Sequence, residues 1–306
     1  MVGATALFGL SAGLVLAPLS DRPPPIQPIY GGELVAEGEW PGVVAIDLGS
    51  LLCTGTLVAP NLVLTAAHCL KTSPPPSSVK VRFGAQAVIS GVEITAASYK
   101  IHPDYCDEAV TCGKDCWDFA YIVLESPADA AYPPVGILSS QEDWDEWMRV
   151  GTPVSLVGYG RDEQGTMGFK RIAETVMTAF GATGLEFEAG GMGIDSCQGD
   201  SGGPAFVVDG QGAPILVGVL SRGYDCGEGG CYGIPESVLC WVSDESGIDI
   251  RPAGCPSCGC LETAADSGGC DACAIDRPRS VDAAALLAPL LVLFARRRRR
   301  RRGAAA

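Results

Sequence analysis

The sequence predicts an all-β, loop-rich globular fold, and three observations carry that reading. An apolar fraction of 47% with 40 glycines describes a chain that buries a core while turning often. Short apolar and β-branched runs recur at 43–46, 62–65, 119–124, 153–157, 205–208 and 215–220, each bounded by turn residues. The length, 306 residues, leaves room for one large domain or two small barrels plus end segments. Short strands between tight turns are what Greek-key barrels are built from.

Composition also bounds the compartment and the partners. Fourteen cysteines point to an oxidising compartment, and their even number permits full pairing without fixing connectivity. A zinc framework is the competing reading, favoured by Cys255-x-x-Cys258 and Cys270-x-x-Cys273, but only two histidines are present to support it. The net charge is −15 even though Arg296 to Arg302 form an unbroken basic run, so the rest of the chain is more acidic still. Such a surface repels phosphates, which argues against a nucleic-acid partner.

The chain opens with small apolar residues from Ala4 to Ala17, and Pro18 breaks the run. This resembles the hydrophobic part of a secretory signal, without the usual Lys or Arg near the start. Residues 1–17 are therefore expected to be a signal peptide and 18–28 a short propeptide. Ile29-Tyr30-Gly31-Gly32 and Gly38-Glu39-Trp40-Pro41-Gly42 lead into the first strand. Trp144-Asp145-Glu146-Trp147 reads as a partly packed connector.

The chemistry concentrates at Asp195-Ser196-Cys197-Gln198-Gly199-Asp200-Ser201-Gly202-Gly203-Pro204. A serine hydroxyl needs a base to take its proton and hydrogen-bond donors for the oxyanion it creates. Gly199, Gly202 and Gly203 allow the backbone to turn sharply and present N–H groups around Ser201. His68, delivered at the end of the strand in Thr65-Ala66-Ala67-His68-Cys69, is the candidate base, since imidazole titrates near neutrality. The other histidine, His102, lies in the turn-like His102-Pro103-Asp104-Tyr105. Asp118 opens the apolar run Phe119-Ala120-Tyr121-Ile122-Val123-Leu124, so its carboxylate enters the edge of the core where a buried partner is needed. Asp115 reads as a surface acid.

With Ile29-Tyr30-Gly31-Gly32, Thr65 to Cys69, Asp118-Phe119-Ala120 and Gly199 to Pro204 in this order, residues 29–245 resemble a trypsin-like serine protease. The resemblance implies two antiparallel six-stranded Greek-key β-barrels with the active site between them, followed by a short C-terminal helix. It implies a triad of Ser201, His68 and Asp118, and an oxyanion hole made by the N–H groups of Gly199 and Ser201. Asp195 would lie at the base of the primary pocket and select Arg or Lys at the cleaved bond of protein or peptide substrates, with walls at Ser221, Gly223 and Gly230. A solvated loop acid is the plainer reading of Asp195. Cys53, Cys69, Cys197 and Cys226 are implied as disulfide cysteines, the last two bridged beside that pocket. A freed Ile29 amino group would pair with Asp200 to order the site.

Departures from the resemblance carry expectations of their own. Pro28 precedes Ile29, where an Arg or Lys would be needed for cleavage by an enzyme of the same kind. A catalytically silent surface binding protein, held inactive by failed activation, is therefore the alternative to an active protease. Arg222 stands where the family usually carries Trp, which predicts a cation facing the substrate and a preference for acidic residues before the cleaved bond. Cys106, Cys112 and Cys116 crowd the loop before Asp118. Residues 61–91 lack the paired acids of the family's calcium loop, so no metal and no cofactor is expected, and a monomer is. Residues 246–280 read as a Cys/Gly-rich linker. Residues 281–306 join a thirteen-residue apolar stretch to the arginines, which resembles the C-terminal sorting tails of myxobacterial surface proteins and implies transient membrane anchoring. The expected location is exported, at the cell surface or released.

Overall fold

The computed structural model describes residues 29–107 and 116–251. The expected signal, propeptide and sorting-tail segments, and nearly all of the linker, lie outside these residues. Among the described residues no helix is long and apolar enough to cross a membrane.

Twelve of the fourteen strands among the described residues build two barrels. The first is closed by β2 (Val43–Asp47), β3 (Leu52–Ala59), β4 (Leu62–Thr65), β5 (Lys80–Phe83), β6 (Val92–Ile101) and β7 (Ala120–Leu124), in the order β2-β3-β4-β7-β6-β5. All its pairings are antiparallel. The second is closed by β9 (Pro153–Gly158), β10 (Arg171–Phe180), β11 (Glu186–Ala189), β12 (Pro204–Val208), β13 (Pro214–Gly223) and β14 (Gly230–Gly233). Its strands run β10-β11-β14-β13-β12-β9, and β9 pairs with β10 to close the ring. Two short strands lie outside the rings: β1 (Glu33–Leu34) pairs with β10, and β8 (Gly136–Ile137) runs parallel to β13. This is the expected all-β architecture of two six-stranded barrels, with a short C-terminal helix.

Each barrel buries its own apolar set. Val44, Ile46, Leu57, Val81 and Ile122 fill the first, and Val154, Leu156, Phe187, Val217 and Tyr232 the second. Another cluster joins them, including Tyr121, Tyr159, Phe206, Leu216 and Val219. Polar groups buried at this junction find partners across it. The Tyr159 hydroxyl lies 3.0 Å from the Val43 carbonyl and 2.7 Å from that of Gly84. Lys170 Nζ donates to the Trp40 carbonyl at 2.7 Å, and its burial lowers its pKa to about 8.

The helices are short: α1 (Ala67–Leu70), α2 (Ala87–Ser90), α3 (Gln141–Trp147) and α4 (Leu239–Ser246). The Trp144 segment is thus helical, capped by Ser140 Oγ accepting from the Asp143 N–H at 3.0 Å. Trp144 packs into the core of the second barrel. On α4, Trp241 reaches back to the first barrel, its ring 5.2 Å from Tyr121 and 4.7 Å from His102.

Candidate active site

The cleft between the barrels is lined by residues of both, including His68, Asp118, Ser201, Ser221 and Arg222. His68 rides on the single turn of α1, directly after β4, and the Cys53–Cys69 disulfide ties that turn to β3. Asp118 precedes β7 rather than opening it as expected. The neighbouring Trp117 adopts a left-handed backbone with φ 42°, and its ring stacks on His102 at 4.8 Å. Burial lowers the pKa of His102, whose Nδ1 accepts from the Asp104 N–H at 3.2 Å. That histidine belongs to an aromatic packing cluster outside the cleft.

Asp118 is almost fully buried and has three donors. Its Oδ1 accepts from the His68 backbone N–H at 2.9 Å. Its Oδ2 accepts from His68 Nδ1 at 2.8 Å and from the Ser221 hydroxyl at 2.7 Å. Because an ionised carboxylate only accepts, these contacts place the imidazole proton on Nδ1 and leave Nε2 as a base. His68 and Ser201 line the same cleft without a direct hydrogen bond; such bonds are commonly long in ligand-free sites.

The loop carrying Ser201 is held from the first barrel by Thr54 of β3. The Thr54 N–H donates to the Ser201 carbonyl at 2.9 Å, and its hydroxyl donates to the Gly199 carbonyl at 2.9 Å. Two further carbonyls set the direction of the neighbouring amides. Gln198 O accepts from the Arg161 N–H at 2.8 Å, and Asp200 O accepts from the Gly203 N–H at 2.7 Å. In a trans peptide the N–H points opposite to the C=O, so the Gly199 and Ser201 N–H groups face away from these bonds. Gly202 has φ 78°, and a Cβ there would lie 2.1 Å from Thr65 Oγ1 and 2.6 Å from the Thr54 carbonyl. Only glycine lets the two barrels approach this closely.

Asp195 is buried, which disfavours the solvated loop-acid reading. Its carboxylate accepts from the Gly229 N–H at 2.8 Å and from Ser196 Oγ at 3.2 Å. Burial nevertheless raises its pKa to about 6. Gly223 of β13 pairs with Gly230 of β14 nearby, while the Ser221 hydroxyl is turned to Asp118. The Cys197–Cys226 disulfide joins the segment after Asp195 to the loop before β14.

Asp200 is also buried, with a pKa raised to about 6 by desolvation. It accepts from the N–H groups of Gly160 at 2.7 Å and Cys197 at 2.9 Å. A Cβ at Gly158 or Gly160 would lie 2.1 or 2.3 Å from its oxygens. Ile29, fully buried, lines the same small cavity. Its backbone is left-handed, with φ 42°, an unfavourable conformation for a β-branched residue.

Arg222 departs from expectation. Its guanidinium is engaged by Glu186, at 2.8 Å through Nη1 and 2.6 Å through Nη2, so its charge is already paired and is not offered to a substrate. This pairing counts against the expected preference for acidic residues. Glu186 lies in β11, two strands away, and no local pattern signalled it. Thr54 was also missed, although it stands between Cys53 and Gly55 in a recognisable strand. Cys106 and Cys116 are bonded to each other, stapling the loop ends before Asp118. Cys231 and Cys240 are disulfide-bonded as well.

The sequence matches the Trypsin family over residues 29–239. The chain belongs to the trypsin family of serine endopeptidases. Among its relatives, a trypsin of Saccharopolyspora erythraea is 30% identical over 223 residues, covering 67% of this chain and 91% of that protein. A trypsin-like protease of Streptomyces glaucescens is 29% identical, over 71% of this chain and 80% of its own length. Coagulation factor XII of Sus scrofa is 28% identical, over 77% of this chain but only 43% of its own length.

For a trypsin-family site assembled across two barrels, Thr54 is the expected weak point. Thr54→Val keeps the shape and the N–H but removes the hydroxyl. The hydroxyl also accepts from the Tyr159 N–H at 3.2 Å, so the change should lower stability by about 1–3 kcal/mol for two buried hydrogen bonds, measured by urea unfolding. It should also slow acylation of Ser201; a variant with native stability and native rate would show that the hydroxyl bridge is dispensable.

Proposed function

We propose that the chain is an exported serine endopeptidase that cleaves after Arg or Lys. The observation that carries the reading is the pairing of His68 Nδ1 with the buried Asp118 carboxylate at 2.8 Å, which leaves Nε2 as the basic nitrogen of a residue that lines the same cleft as Ser201. In the proposed reaction Ser201 Oγ attacks the substrate carbonyl as His68 Nε2 takes its proton. The N–H groups of Gly199 and Ser201 receive the oxyanion. Protonated His68 then gives its proton to the leaving amine, and water releases the acyl group by the same route in reverse. Asp118 orients the imidazole and stabilises its charged form. These are the roles that a Ser-His-Asp triad plays in this family.

Asp195 supplies the charge that selects Arg or Lys, in a poorly solvated setting where an ion pair is strong. The disulfides support an oxidising location. Activation is proposed to follow release of Ile29. An intact peptide bond before Ile29 holds this residue in a left-handed conformation, whereas a freed terminus has no φ to strain. The ammonium so created would enter the cavity shared with Asp200 and pair with its buried carboxylate. Pro28 requires that a protease of different specificity make the cut.

Three measurements test this reading. A fluorophosphonate probe should label the chain beginning at Ile29, and Ser201→Ala should abolish the label; an unlabelled native chain would favour a silent binding protein. The chain beginning at Pro18 should label far more slowly than the one beginning at Ile29, and equal rates would exclude activation by the freed amine. Benzamidine binding to the Ser201→Ala protein should weaken as pH falls through about 6, because protonation of Asp195 competes with the cation. A dissociation constant unchanged between pH 8 and pH 4.5 would remove Asp195 from charge selection.

A further inference from the structure

Behind the His68–Asp118 pair stands a second, buried ion pair. The register of β13 against β14 slips between Leu220 and Arg222, so Ser221 and Arg222 sit on a bulge. Bulges bend a strand and re-aim its side chains. Here Ser221 Oγ lies 2.7 Å from Asp118 Oδ2, and Arg222 Nη1 lies 3.0 Å from the same Ser221 oxygen. The guanidinium also holds Glu186 through both terminal nitrogens. Side-chain exposure is 15% for Arg222 and 5% for Glu186, so the pair is shielded from solvent.

Proton direction follows from the chemistry of the groups. A guanidinium only donates, so the Ser221 oxygen accepts from Arg222. The single hydroxyl hydrogen of Ser221 is then committed to Asp118. Without this donor the hydroxyl is free to rotate and share its hydrogen elsewhere. A buried ion pair contributes little net stability compared with apolar residues of similar size, so stability gives little reason for it here. Hydrogen bonds in series polarise one another, so a guanidinium at the head of the chain strengthens the bond that Asp118 receives.

We propose that the Arg222–Glu186 pair is a positioning device for the reaction: it fixes the Ser221 hydroxyl as a donor to Asp118 and thereby holds the carboxylate that orients His68. Glu186 sets the plane of the guanidinium, Arg222 sets the hydroxyl, and the hydroxyl sets the carboxylate. The inference rests on the proposed roles of Ser201, His68 and Asp118.

The test uses the full chain beginning at Ile29 and the kinetics of fluorophosphonate inactivation, which need no knowledge of the natural substrate. Glu186→Leu/Arg222→Leu removes both charges together and leaves neither buried alone. It should slow the maximal inactivation rate about tenfold, the equivalent of one charge-assisted hydrogen bond, with the affinity for the probe unchanged. In a Ser221→Ala background the same double change should matter less than about twofold, because the pair acts through the hydroxyl. Equal slowing in both backgrounds, no slowing in either, or a change confined to affinity would overturn the proposal. If the double variant fails to fold by circular dichroism, Arg222→Lys serves instead. Its ammonium can face Glu186 but lacks the planar fork that spans both partners, so the same slowing is expected and a native rate overturns the proposal. A native chain that never labels at Ser201 is a different result: it removes the serine-hydrolase reading, and this inference falls with it.

Discussion

The candidate site depends on a strand of one barrel reaching the nucleophile loop of the other. Thr54 does this with two groups at once, its N–H on the Ser201 carbonyl and its hydroxyl on the Gly199 carbonyl. Neither barrel alone holds the arrangement, since His68 and Asp118 come from the first and Ser201 from the second. The absence of a side chain at Gly202 allows the approach, and the Thr54 bonds fix it. The geometry of the candidate site is therefore a property of the junction, stabilised by the same apolar cluster that joins the two cores.

Much of this was legible in the sequence, for reasons that are local. Short β-branched runs between turns pointed to the all-β class, and the residue types around Ser201, His68 and Asp118 pointed to the chemistry proposed for them. What escaped was non-local. Arg222 looked like a cation open to substrate because its partner, Glu186, is 36 residues away in sequence and meets it only after β11, β14 and β13 assemble. Asp118 was expected to open a strand; the left-handed turn at Trp117, supported by stacking on His102, places it just before one. The Trp144 segment was read as a connector because its helix, only seven residues long, has too few turns for a clear period.

Electrostatics divides the buried acids by the company they keep. Asp118 is surrounded by donors, including a ring nitrogen that can carry charge. Asp195 and Asp200 accept from uncharged backbone and hydroxyl donors, and burial raises both pKa values to about 6. A group in that condition gains most from an arriving cation. In the proposed function these two positions receive positive partners, one offered by a substrate and the other by the chain itself.

Gly158 and Gly160 set a limit at the second of these positions. Any β-carbon at either position would press on the Asp200 carboxylate, so the space beside it admits little more than one small group. Under the proposed activation, so small a cavity suits a primary ammonium better than a guanidinium or a ring. On the same proposal, a side chain at either glycine would displace the Asp200 carboxylate and so disturb the acceptance of the new terminus, without touching a residue assigned to the substrate.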